Sequence, residues 1–334
     1  MQIFTCPNCG TTLYFRNTTC RCGSDVFFDP DRQSMSTQGT ACANRQSIGC
    51  NWIAEDGADG DLCRSCAMTE VTPDLREAQN AELWATAEFA KRWMLANLAR
   101  WGWFTPGDPG TRPVFKMLSE QTAKGEAEII MGHADGIITI NVTESSDAEL
   151  AKRQENLGEL YRTMLGHMRH ETAHFLQLRL AEDPRFLTAF REIFGDERAD
   201  YGEALETHYA SPKPADATHI TSYATAHPHE DWAETTAHLL HLIDLVDSAA
   251  SAQLSLPEGP QPGHDAYGAI DLAPELTMAV DLALAINHVN RAMDLSDLYP
   301  FAVPDGVRDK MAFIHRWLRD PAQIQSQPKM ASAG

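Results

Sequence analysis

The pentapeptide His170-Glu171-Thr172-Ala173-His174 has the pattern H-E-x-x-H. On a helix, residues four apart lie one turn above each other on the same face. Two imidazoles at that spacing can grip one Zn²⁺, and the Glu beside the first His can reach a water on the metal. The chemistry this set could do is hydrolysis of a peptide or amide bond. Zinc would lower the pKa of the water towards about 7, and Glu171 would act as general base. Two surface His and a solvated Glu give the same pentapeptide by accident, so the surrounding residues must decide.

Those surroundings predict a helix. Leu157, Leu160, Tyr161, Met164, Leu165, Met168, Thr172, Phe175 and Leu176 recur at helical spacing. The helix is expected to start near Gln154 and to stop before Asp183-Pro184, because Pro cannot continue it. Catalytic zinc usually takes three protein ligands and keeps one position for water. A metzincin would need Gly at position 177 and His at 180; the chain has Gln177 and Leu180, which excludes that subclass.

The third ligand must come from elsewhere, and His229-Glu230-Asp231-Trp232-Ala233-Glu234 offers one. Pro228 suits the first turn of a helix. Trp232, Thr236, Leu239, Leu240, Ile243 and Val246 then form one apolar stripe, with Glu230, Glu234 and His241 on the opposite side. A generic helix would leave that side to solvent. The missing anionic ligand favours Glu230 on the metal, with Glu234 one turn on hydrogen-bonding a ligand His. The reverse assignment, with Glu234 as ligand, fits the spacing too. Tyr223, seven residues before Glu230, could donate to a developing oxyanion. Arg169, Arg162, His167 and His133 are weaker substrate-binding candidates.

All eight Cys fall within residues 6–66. Cys6-Pro7-Asn8-Cys9 and Cys20-Arg21-Cys22, each followed by Gly, read as two zinc knuckles. Cys42, Cys50, Cys63 and Cys66 form a second set of four. Taken in sequence order these make two structural Cys₄ zinc sites; interleaved pairings fit the spacing too. No apolar signal segment opens the sequence, so zinc in a reducing, cytoplasmic compartment is expected rather than disulfides. Residues 1–70 hold five Arg and no Lys against eight Asp plus Glu. That charge is wrong for phosphate, so a structural or protein-contacting ribbon is expected, without nucleic acid. The whole-chain net charge of −20 argues against anionic lipid too. No run approaches the roughly 18 apolar residues that span a membrane.

The organisation expected is a zinc ribbon over residues 1–70, a mainly helical domain with a small β-sheet over 71–320, and a disordered tail over 321–334. Thr72-Pro73 is expected to open a helix carrying Leu83, Trp84, Ala87, Met94, Leu98 and Trp101 on one face. Ile129-Ile130-Met131 and Ile137 to Val142 are expected to be strands around a turn at Ala134-Asp135-Gly136. Such a strand could lie along the cleft and pair with an extended substrate. Further helices are expected at 185–194, 202–209, 228–248, 275–295 and 305–319.

The chain resembles a bacterial family that joins an N-terminal zinc ribbon to a zinc-binding metallopeptidase domain. The resemblance covers roughly residues 4–245. Its carriers are Cys6-Pro7-Asn8-Cys9, Cys42-Ala43-Asn44, Cys50-Asn51-Trp52, the segment from Gly132 to Ile140, the segment from Tyr161 to Glu171, Phe194-Gly195-Asp196-Glu197-Arg198, and the run from Ser222-Tyr223-Ala224 through Glu234. The arrangement is also similar to gluzincins of the lethal-factor type. That resemblance implies an α+β, zincin-like domain with Glu230 as zinc ligand, Glu234 behind a ligand His, and Tyr223 as transition-state donor. It implies a peptide or protein substrate. The competing expectation is a protein-interaction module in which the ribbon recruits a partner and the H-E-x-x-H site is structural or inactive.

Overall fold

A computed structural model describes residues 2–55, 61–146, 149–150, 163–254, 256–299 and 302–319. Cysteines and short hairpins organise the first part. β1 (Phe4–Thr5) pairs antiparallel with β2 (Thr12–Leu13), and β3 (Phe27–Asp29) with β4 (Ser34–Ser36). Gly10 and Gly23, at φ +72 and +86, turn the backbone just after each cysteine pair, where a Cβ would be strained. α1 (Arg45–Ile48) and α2 (Arg64–Ala67) are single turns. β5 (Thr69–Val71) then pairs parallel with β6 (Val114–Leu118), so residue 70 sits inside a strand shared with the rest of the chain.

α3 (Asn80–Ala99) begins seven residues later than the Thr72 cap predicts. Asp74 is the reason. Its carboxylate accepts the N–H groups of Arg76 and Ala123 at 3.2 and 3.0 Å, and its carbonyl accepts that of Glu77 at 3.2 Å. Side-chain bonds of this kind compete with helix and hold a turn. After the small hairpin β7 (Gln121–Thr122) and β8 (Gly125–Glu126), the chain forms β9 (Gly132–Ala134) and β10 (Ile137–Asn141). The four-stranded sheet has the order β5-β6-β10-β9, parallel except for the last pair. Asp135 and Gly136 both take positive φ, the signature of a two-residue hairpin turn. That turn fixes Ala134 opposite Ile137, and the pairing runs to Gly132 opposite Thr139. Ile129 to Met131, expected as strand, lies beyond the ladder, with Ile130 79% exposed.

The helices α4 (Met164–Leu180), α5 (Pro184–Phe194), α6 (Tyr201–Ala210), α7 (Pro228–Ser251), α8 (Leu272–Ala292) and α9 (Asp305–Leu318) follow. Together with the Cys-rich front and the small sheets, they make the fold α+β. α4, which carries the H-E-x-x-H motif, starts at Met164 rather than near Gln154. Thr163 is extended and its side chain accepts from the Gly166 N–H, a cap that begins a new helix. Leu157, Leu160, Tyr161 and Arg162 lie outside the described residues, as does the tail expected over 321–334. Asp183 and Pro184 end the helical run as expected and open α5.

α4 packs on α7 and on β9 and β10. Trp232 locks the helix pair: it is fully buried, donates to the Ala173 carbonyl at 2.8 Å, and meets Phe186, Phe190, Phe194 and Phe313 edge-on or tilted. The opposite side of α7 is not a solvated face. Glu230 and Asp231 are each 1% exposed because α4 and α9 cover them, and Lys310 of α9 pairs with Asp231. Among the described residues, no helix is long and apolar enough to cross a membrane.

A line of buried contacts joins the ribbon to the motif helix. Phe15 packs on Trp93 of α3, and the Trp93 indole donates to Asp244 of α7 at 2.6 Å. Asp244 also receives Arg169 of α4 at 2.7 Å, and Arg169 directly precedes His170. Arg169 and His167 thus serve packing: the latter pairs with Glu144 at 3.0 Å. Removing the carboxylate in Asp244→Ala strands the Arg169 guanidinium, which is 1% exposed. Breaking a buried pair in this way costs about 3–5 kcal/mol, so a clear drop in urea midpoint is expected relative to wild type.

Candidate metal centre

The four-residue spacing on α4 puts His170 and His174 on one face, and the N-terminal turn of α7 brings Glu230 across to them. His170 Nε2 and His174 Nε2 stand 3.2 Å apart. Glu230 Oε2 lies 3.1 Å from the first nitrogen, and Glu230 Oε1 3.5 Å from the second. Tetrahedral ligands about 2.1 Å from one ion stand about 3.4 Å from each other, so this triangle has the size a zinc ion requires. Glu230 Oε2 is buried and receives no hydrogen bond among the described residues, which leaves its lone pairs to a cation.

The supporting contacts orient the ligands. Glu234 Oε1 meets His170 Nδ1 at 2.7 Å, and Glu234 Oε2 accepts from Thr221 Oγ1 at 2.8 Å. The Nδ1 contact turns His170 Nε2 towards the triangle. This arrangement has Glu230 at the cradle and Glu234 behind it, not the reverse. Burial favours a neutral His170, but the two carboxylates outweigh it and raise it well above the usual imidazole value. Burial opposes ionisation of Glu234 as well, yet the His170 contact lowers it to about 2. Two carboxylates around two imidazoles make a site that demands a cation. Losing an orienting carboxylate typically costs a metal site 10–100-fold in affinity. Glu234→Ala should therefore weaken zinc at this cradle by about that factor in a chelator competition, with the cysteine sites unaffected.

Glu171 follows His170 and is 7% exposed. Its charge adds to burial and to Glu230 in holding the Tyr201 hydroxyl protonated. Tyr223 sits with its ring 6.1 Å from the His170 ring, and beside His208 and Tyr209. Burial and Glu230 push its phenol upward too, so it remains a donor. On the other flank His133 of β9 stacks on His174 at 6.4 Å with 13° between the rings. His229 Nδ1 meets Gln177 Oε1 at 2.8 Å. Burial lowers both His133 and His229 to about 4, so both are neutral imidazoles at neutral pH.

Sequence reasoning did not reach Tyr201, Thr221 or the His229–Gln177 pair. Tyr201 donates to Glu230 Oε1 at 2.7 Å from a separate helix. No motif spacing relates it to the pentapeptide, so only the fold brings it in.

The cysteines form two further clusters. Cys6, Cys9, Cys20 and Cys22 meet in one, and Cys42, Cys50, Cys63 and Cys66 in the other. Sulfur separations are 3.9 Å for Cys6–Cys22, 3.6 Å for Cys9–Cys20, 3.6 Å for Cys50–Cys63 and 3.7 Å for Cys50–Cys66. A disulfide requires about 2.05 Å. Four thiolates about 2.3 Å from zinc stand about 3.8 Å apart, and these sets fit that ion. The second cluster is wholly buried, whereas Cys9 and Cys22 of the first are exposed.

A zinc-sized His/His/Glu cradle between two buried helices, behind a front end with two tetrathiolate clusters, defines a zinc-binding protein of two parts. Residues 80–317 match the family described as "Putative zinc-binding metallo-peptidase", and residues 3–77 match a zinc-ribbon domain. The chain is 36% identical over 327 residues to the Mycobacterium tuberculosis protein Rv2568c, covering 94% of each. The same figures hold for Mb2598c of Mycobacterium bovis; both relatives are described as uncharacterized. No solved structure matches the chain. The chain belongs to this zinc-binding metallopeptidase family and carries its zinc ribbon in front.

Proposed function

We propose that the protein is a gluzincin-type peptidase that hydrolyses peptide bonds in a peptide or protein substrate. The observation that supports this most is the convergence of His170, His174 and Glu230 at 3.1–3.5 Å, with Glu171 the next residue along. When bound there, zinc supplies a water acidic enough to attack near neutral pH, with a pKa of about 7. Glu171 accepts a proton from the attacking water and returns it to the leaving amine nitrogen, so that the carboxylate is regenerated. Tyr223, kept protonated by burial and by Glu230, donates to the oxyanion. Glu234 holds His170 in place throughout.

β9 is the last strand of the sheet among the described residues; its outer edge would offer backbone groups to an extended substrate beside α4, which would add as a further strand. The two cysteine clusters each hold a structural zinc in this reading, giving three ions with the cradle. Their thiols suit a reducing compartment, and the cytoplasm is the proposed location. The ribbon, acidic rather than basic, is proposed to face protein and not nucleic acid.

The test is incubation of the zinc-loaded protein with unfolded casein and a mixed peptide library, with new termini read by mass spectrometry. Cleavage that stops with chelator and returns with zinc supports the reading. Full zinc occupancy with no new termini would move the interaction-module reading ahead.

A further inference from the structure

α6 flanks the metal centre, with Tyr201 touching Glu230 and His208 and Tyr209 beside Tyr223, but it is barely part of the core. None of its residues is buried, and Tyr201 and Tyr209 are 43% and 68% exposed. A pocket of about 300 Å³, open to solvent, lies between Glu203, Thr207 and His208 of the helix and Thr225 and Ala226 on the segment leading into α7. A helix so loosely seated needs specific contacts to stay where it is. The strongest comes from its first residue. The Tyr201 ring lies near the surface against His227, centroids 5.2 Å apart, while its hydroxyl reaches in to Glu230 Oε1 at 2.7 Å. A hydrogen bond to a charged group is stronger than one between neutral groups, which matters for a helix with no buried residue.

The same bond acts on the carboxylate. Glu230 has two oxygens near the cradle, Oε2 at 3.1 Å from His170 Nε2 and Oε1 at 3.5 Å from His174 Nε2. Tyr201 engages Oε1, and among the described residues Oε2 has no hydrogen bond. One oxygen is committed and the other is offered.

We propose that Tyr201 is a positioning residue that latches α6 over the metal centre. Its hydroxyl fixes Glu230 with Oε2 turned to the ion, so lifting α6 both opens the site and releases the ligand carboxylate. Access for a long substrate and the strength of metal binding are thereby linked through one bond. The proposal rests on the metallopeptidase reading only in taking Glu230 as a zinc ligand.

Tyr201→Phe tests it, because the ring and its packing on His227 stay and only the hydroxyl goes. Zinc affinity at the cradle, measured by chelator competition, is expected to fall about tenfold, as is usual when an outer partner of a ligand is lost. Hydrogen exchange across residues 201–210 is expected to rise, with α4 and α7 unchanged. Unchanged cradle affinity in Tyr201→Phe would overturn the latch, since a merely packing tyrosine predicts that result. A fall in affinity with unchanged exchange in α6 would overturn it too, because the hydroxyl would then orient Glu230 without holding the helix. Wild-type protein that binds no zinc at the cradle would instead remove the metal assignment itself, so the two failures are distinguishable. Neither readout requires a substrate.

Discussion

Glu171→Gln is expected to keep the zinc content of the wild type and to lose peptide hydrolysis by about 10²–10⁴-fold, the usual contribution of a general base. The amide has the size and shape of the carboxylate but cannot take up the proton of the attacking water. Glu171 stands on α4 one residue from His170, 7% exposed, and none of its atoms belongs to the His170–His174–Glu230 triangle. Removing its charge should therefore leave the cradle intact. The two quantities separate the competing readings. If the site only holds metal, Glu171→Gln changes neither; if the site hydrolyses peptides, it changes the rate alone. Initial rates on the best-cleaved library peptide, with zinc per chain measured on the same samples, give the answer. A variant that cleaves at the wild-type rate would assign the base to another residue.

The second large effect is expected in the ribbon. Cys42, Cys50, Cys63 and Cys66 are each no more than 2% exposed, and α3 closes over them with Arg92 donating to Asn51 at 3.1 Å. Structural zinc in small domains is worth about 10–16 kcal/mol at neutral pH, as much as a whole domain's net stability of about 5–15 kcal/mol. Cys50→Ser should thus lose one zinc and unfold the front end, with Phe15 and Trp93 losing their contact. Cys9→Ser should be milder, since Cys9 is exposed and its cluster lies at the surface. The same contrast predicts two phases of zinc release from the ribbon under a chelator, the first from Cys6, Cys9, Cys20 and Cys22. Release curves with a colorimetric chelator, paired with thermal melts of both variants, check the order. Equal melts would mean that the buried cluster does not hold the ribbon together.

Much of this architecture is legible in the chain, and the gaps have physical causes. Period-3.6 stripes carry α4 and α7 because each must bury Trp232 or its neighbours, and the i, i+4 spacing alone brings His170 to His174. The α+β class and the cysteine-rich front end follow from the same local patterns. What local pattern does not carry is competition and distance. Asp74 spends its carboxylate on a turn and delays α3, and Thr163 caps a helix inside what reads as one long stripe. Ile129 to Met131 has strand-forming residues but pairs with nothing among the described residues, since the ladder on β10 stops at Gly132. The buried polar side of α7 could not be told from a solvated one, since burial there is decided by α4 and α9. Tyr201 is the extreme case. It reaches Glu230 from 29 positions away, on a helix whose own pattern gives no reason to look.

The most direct test of the central claim is zinc per chain, measured by mass spectrometry of the elements, for the wild type and for His170→Ala combined with Glu230→Ala. The account predicts three ions falling to two, with both cysteine clusters still loaded. Two ions in both proteins would contradict it, because the His/His/Glu cradle would then not be a zinc site.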